Sequence, residues 1–138
     1  MCWSKSNKHK HTFLGYLFQK ISKNFDDARQ DCFTRGGDLA SINSPEEQAL
    51  IIAESEKICT PEEKCQWQLG LLRDQDKWKW LDGTIATYTD WLNDGYPKEH
   101  HNCVILNWLQ KWQSSACGQY NVAPYVCEYK GERFYTFL

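Results

Sequence analysis

No stretch of this chain is apolar over the ~18 residues that a membrane-spanning helix requires, so the segment does not cross a bilayer. The opening residues MCWSKSNKHKHTF also lack the apolar core of a secretory signal. That leaves a cytosolic chain, or a portion of a longer exported one. There is no N-x-S/T sequon, which neither supports nor opposes export. Neither sign of charge dominates: 16 basic against 18 acidic residues give a formal net charge of −2. Nothing therefore draws the chain generally toward nucleic acid or an acidic membrane. No glycine-rich loop could cradle phosphate, and no serine has a His-Asp arrangement suited to nucleophilic catalysis, so an enzyme has little support.

Cysteine is abundant by contrast. Seven cysteines stand at positions 2, 32, 59, 65, 103, 117 and 127, a dense set for a reducing compartment. Zinc sites use closely paired cysteines with matching partners. Here only Cys59 and Cys65 are near neighbours, six apart, and no other pair is closer than ten. Disulfides in an extracellular domain are the better reading.

The length, 138 residues, suits a single domain able to bury its own core. In SKNFDDARQDCFTRGG, Phe25, Ala28 and Cys32 fall at i, i+3 and i+7, one apolar stripe of a helix. Asn24 can cap its start, Asp26 and Asp27 suit the positive end of the dipole, and Gly36-Gly37 ends it. A second helix begins at SPEEQALIIAESE, where Ser44 and Glu47 make a capping box and Pro45 takes the first helical position. Its expected apolar face is Leu50, Ile51 and Ala53. After Cys65 the pattern turns to short strands: WQLGLL, KWKWLDG, CVILNW, QKWQSSAC and PYVCEYK. Helices followed by a run of strands read as α+β. The closing GERFYTFL is an extra strand or a linker.

FDDARQDC, GGDLASINSPEEQ, GL, KWKWLDGT, YTDW, NCVI, KW and YVCE, in that order, resemble a C-type lectin-like domain. The match spans about residues 13–130, leaving 1–12 and 131–138 as flanks of one domain. One departure is QLGL at 68–71, where the family usually has Trp-Ile-Gly-Leu; the tryptophan comes one place early, as Trp67. The resemblance implies two helices with short antiparallel sheets and a long loop, and disulfides Cys32–Cys127 and Cys103–Cys117. Cys59 and Cys65 then remain as neighbours. Cys2 is left over, as a free thiol or an interchain link.

The long loop contains Asp94, Glu99, His100 and His101, all able to bind a divalent cation. In sugar-binding members of the family, calcium sits on a Glu-Pro-Asn triplet, a Glu before the loop cysteine and a Trp-Asn-Asp triplet. The matching positions here are Tyr96, Pro97 and Lys98, then His101, then Trp112, Gln113 and Ser114. Calcium wants six to eight hard oxygens with carboxylates among them. Every carboxylate is gone from those positions and Lys98 brings a positive charge. No metal and no other cofactor is expected there. Adjacent histidines in extended chain point to opposite sides and cannot both grip one ion.

The resemblance therefore implies a calcium-independent, extracellular recognition module that binds a protein ligand through its loop face. The residues expected to carry contact are Tyr96, Lys98, Glu99, His100, His101, Trp108, Lys111 and Gln113, aromatic anchors among charges of both signs. The alternative is a glycan bound without calcium through Trp108, Tyr96, and hydrogen bonds from Gln113 or Lys98. Lys5, Lys8, His9, Lys10 and His11 make a basic N-terminal stretch, read as a solvated end.

Overall fold

The computed structural model describes residues 4–5, 14–93 and 97–130. Strands β1 (Ser4–Lys5) and β2 (Leu14–Lys23) are followed by helix α1 (Phe25–Thr34). β3 (Asp38–Leu39) and helix α2 (Pro45–Glu56) come next. β4 (Trp67–Gln68), β5 (Leu71–Asp74) and β6 (Lys77–Trp80) then lead to β7 (Cys103–Leu106), β8 (Trp112–Ser115) and β9 (Ala123–Lys130). Among the described residues these strands form a seven-stranded sheet, ordered β1-β2-β9-β4-β7-β8 with β3 beside β9, and a separate β5–β6 hairpin. The α+β reading holds. The sequence reading missed β2, which pairs antiparallel with β9 from Leu14↔Lys130 to Lys23↔Ala123.

The helix ends follow their caps. Asn24 accepts the Asp27 N–H at 2.8 Å, and Gly36 turns the chain at φ 87° so that the Gly37 N–H reaches the Cys32 carbonyl at 2.9 Å. At α2 the Ser44 hydroxyl takes the Glu47 N–H, while the Glu47 carboxylate reaches one residue further back, to the Asn43 N–H. The buried face of α2 differs from the expected one. It is Gln48, Ile51 and Glu54; Leu50 is half-buried and Ala53 faces solvent. The helix rests on the polar Gln48 because a buried partner across the core, Trp112, needs its amide.

WQLGLL divides into β4 and β5, which belong to different sheets. Gly70 is the point of division. Its N–H meets the Ala40 carbonyl at 2.8 Å, and a Cβ there would stand 2.8 Å from the Leu39 carbonyl oxygen. No larger residue fits that approach. Trp67, one place early for the resemblance, is buried on β4 and donates its indole N–H to Ser55 on α2 at 2.8 Å. Gln68 follows it, its amide bonded to the Lys23 and Ala123 carbonyls at 2.6 and 2.8 Å.

Three disulfides close the fold: Cys32–Cys127, Cys59–Cys65 and Cys103–Cys117. This is the pairing that the resemblance and the leftover neighbours gave. Cys2 and the segment from Gly131 onward lie outside the described residues.

Candidate functional site: the long-loop face

β8 alternates. Trp112 and Ser114 point into the protein, and Gln113 points out. Trp112 is fully buried, and its indole N–H donates to the Gln48 Oε1 at 2.7 Å. Trp80, Tyr88 and Trp91 meet its ring edge-on at centroid distances of 5.7, 5.8 and 5.7 Å. Such pairs contribute about 0.5–1.5 kcal/mol each beyond their burial. Trp112 is thus both the core's anchor and the floor beneath the loop.

The long loop is tied to β8 at both ends. At its start the Trp112 N–H reaches the Asp90 carbonyl, and the Leu92 N–H returns to the Trp112 carbonyl, each at 2.8 Å. At its end the Lys98 N–H donates to the Ser114 hydroxyl at 2.9 Å, and the His101 N–H closes a turn onto the Lys98 carbonyl at 3.1 Å. His101 Nδ1 lies 3.2 Å from that same hydroxyl. Arg73, stacked 4.8 Å over Trp78, donates to the Lys98 carbonyl at 3.1 Å. Beneath the loop, Cys103–Cys117 joins the far ends of the β7–β8 hairpin.

These ties leave a cavity of about 220 Å³ whose walls include Trp91, Asn93, Lys98, His101, Gln113 and Ser114. Among the described residues no carboxylate lines it. The nearby Asp90 is engaged on both oxygens, by Lys111 Nζ at 2.9 Å and by the Gln48 amide at 2.7 Å. The Asp90 hydrogen bond, then its charge, raises the Lys111 pKa, so the ammonium stays firmly charged.

The expected contact residues do not all gather here. Lys98, His101 and Gln113 do. Glu99 and His100 are exposed beside the cavity without lining it. His100 takes a left-handed conformation at φ 65° rather than the extended one expected. Lys111 is turned to Asp90, and Tyr96, like Asp94, lies outside the described residues. Trp108 belongs to another surface. In the β7–β8 turn, Asn107 Oδ1 accepts the N–H groups of Leu109 and Lys111 at 2.9 and 3.1 Å. That arrangement turns the Trp108 ring outward, 48% exposed, with Lys64 Nζ 4.9 Å from its centroid. The groove it lines, about 180 Å³, runs along α2 and the Cys59–Cys65 disulfide.

Among the described residues, Cys59, Glu63 and Cys65 are the one group close enough together to share a metal ion. The disulfide between the two sulfurs leaves no thiolate for it. Of the residues that hold the loop in place, Gln48, Asp90 and Asn107 were not singled out from sequence, and Ser114 was named only as a position matching the calcium triplet. Gln48 lies 64 positions from Trp112, and no local spacing signals such a pairing.

The chain belongs to the C-type lectin domain family: the family's Lectin C-type domain matches residues 21–129. Among curated relatives, layilin of Homo sapiens is 26% identical over 132 residues, covering 80% of this chain and 34% of layilin. The low affinity immunoglobulin epsilon Fc receptor of Mus musculus is 32% identical over 118 residues, covering 82% of this chain and 33% of the receptor. This chain thus spans about a third of the length of either relative. Among solved structures, the mouse scavenger receptor C-type lectin carbohydrate-recognition domain superposes with a TM-score of 0.70 at 25% identity. That alignment covers 91% of this chain and 94% of the domain. These relatives are receptors and lectins, not enzymes, and the family binds glycans or proteins. Among the described residues no helix is long and apolar enough to cross a membrane.

Proposed function

We propose that this chain is a single recognition domain of a cell-surface or secreted protein, and that it binds a protein ligand through the long-loop face without calcium. The carrying observation is the lining of the loop cavity, which offers Lys98, His101, Gln113 and Ser114 and, among the described residues, no carboxylate. Calcium bound by neutral donors beside an ammonium would lack the charge that holds it. Three disulfides suit an oxidising, extracellular setting. The mouse relative named as a receptor for immunoglobulin epsilon Fc gives a precedent for a protein ligand.

The test is a tetramer of the chain displayed against an array of cell-surface and secreted proteins, once with calcium and once with chelator. The expected partner binds equally in both, is lost with Gln113→Trp at the cavity wall, and is untouched by Gln30→Arg on the exposed side of α1. The reverse pattern for the two variants would remove the loop face from consideration. A melting temperature that rises by several degrees with added calcium would overturn calcium independence, because a ligand of the native state alone must stabilise it.

The exposed ring of Trp108 favours a second reading, a glycan stacked on that surface. Binding to a glycan array in chelator, abolished by Trp108→Ala, would select it.

A further inference from the structure

We infer that the long-loop cavity is an anion site, and that the protein partner fills it with an acidic side chain. The inference rests on the proposed protein ligand at this face and names the chemistry of its anchor.

The argument is one of hydrogen-bond direction. Asn107 is buried in the β7–β8 turn, and its Oδ1 must meet two backbone N–H groups, those of Leu109 and Lys111. Its Nδ2 is therefore the donor to the neighbouring Gln113, at 3.2 Å. Gln113 must answer with its Oε1, which leaves its own NH₂ as the group facing outward from β8. Ser114 holds the other side: its hydroxyl accepts the Lys98 N–H at 2.9 Å and lies 3.2 Å from His101 Nδ1, which fixes the imidazole at the cavity wall. The Lys98 ammonium has no ion-pair partner among the described residues. One amide and one ammonium thus border a single cavity with the imidazole beside them, and among the described residues no acceptor takes up their hydrogens and no carboxylate lines it. Asp90, the acid on the adjoining segment, is consumed by Lys111 and Gln48. The buried Trp112 and half-buried Trp91 form an apolar floor, which strengthens the attraction for a charge seated above it. A carboxylate, with two acceptor oxygens and a negative charge, is the complement of this set.

The probe is N-acetyl-aspartate N-methylamide, titrated at constant ionic strength into the ¹⁵N-labelled full chain, with the asparagine analogue as uncharged control. The expected result is that only the charged compound moves the signals of Lys98, Gln113 and the Trp91 indole, and that Lys98→Gln weakens it about tenfold, the loss of one charge-assisted hydrogen bond. Equal shifts from both compounds, or shifts confined to other surfaces, would overturn the inference. A heparin disaccharide that moves the same signals at lower concentration would also overturn it, in favour of a sulfated glycan. Against the partner found on the array, Lys98→Gln should again cost about tenfold. If Gln113→Trp abolishes that binding while Lys98→Gln leaves it intact, the loop-face reading stands and the anion site falls. If neither variant changes it, both fall.

Discussion

Gln48 carries more of this protein than its polarity suggests. It is buried, accepts from Trp112, and donates to both Asp90 and the Gln110 carbonyl, so one side chain joins α2 to the core ring, to the start of the long loop and to the β7–β8 turn. Gln48→Leu keeps the volume but strands the Trp112 N–H, and should lower stability by about 2 kcal/mol in urea unfolding. Asp31 offers a pH test. Burial alone would raise its pKa, but hydrogen bonds from Tyr125 and Arg35 outweigh that and hold it below the usual carboxylate range. A lowered folded-state value stabilises the protein above the unfolded pKa of about 4, and that contribution fades as pH falls through the folded value. Tyr125→Phe removes one donor. The stability gap between wild type and variant should be widest above pH ~4 and should narrow below it, as followed by circular dichroism. At this scale the sequence was least informative: Lys98 and His101 could be read for charge, but the donors that orient them lie far away along the chain.

At the scale of elements the reading was better where the signal was local. The α1 stripe Phe25, Ala28 and Cys32, both N-caps and the strands with tryptophan and valine were legible, because caps and periodicity act within a few residues. The face of α2 was not, since polarity suggested that Gln48 pointed outward and only its distant partner explains the reversal. Nor was the side of the β7–β8 turn on which Trp108 falls, which Asn107 decides. The disulfides grade the elements they join. On the chain-entropy account, the loops closed by Cys32–Cys127, Cys103–Cys117 and Cys59–Cys65, with separations of 95, 14 and 6 residues, are worth about 4.7, 3 and 2 kcal/mol. Pairwise replacement by alanine should lower the melting temperature in that order, measured by calorimetry. A larger loss from the Cys59–Cys65 pair than from Cys103–Cys117 would show that the α2 groove depends on its staple beyond chain entropy.

For the whole molecule, the order of short motifs along the chain was specific enough to give the family and the pairing of four cysteines, and Cys59 and Cys65 followed as the neighbours left over. Thiol labelling of the native chain followed by peptide mapping should therefore modify Cys2 alone; label on Cys59 or Cys65 would mean that Cys2 has displaced one of them. The same covalent pattern bears on mechanical load. β2 and β9 lie side by side with Leu14 opposite Lys130, so a pull on the two ends enters at one corner and unzips the ladder pair by pair. At Cys127 the load from the C-terminal side passes into the bond to Cys32, so along the backbone only residues 18–31 of the remaining chain still carry it. Residues 33–126, which hold the loop cavity, the Trp108 groove and the tryptophan floor, sit inside the covalent ring and carry none of that end-to-end tension along their backbone. A pull between the two ends would thus fray the domain at its hem and leave the covalent ring around the loop face closed.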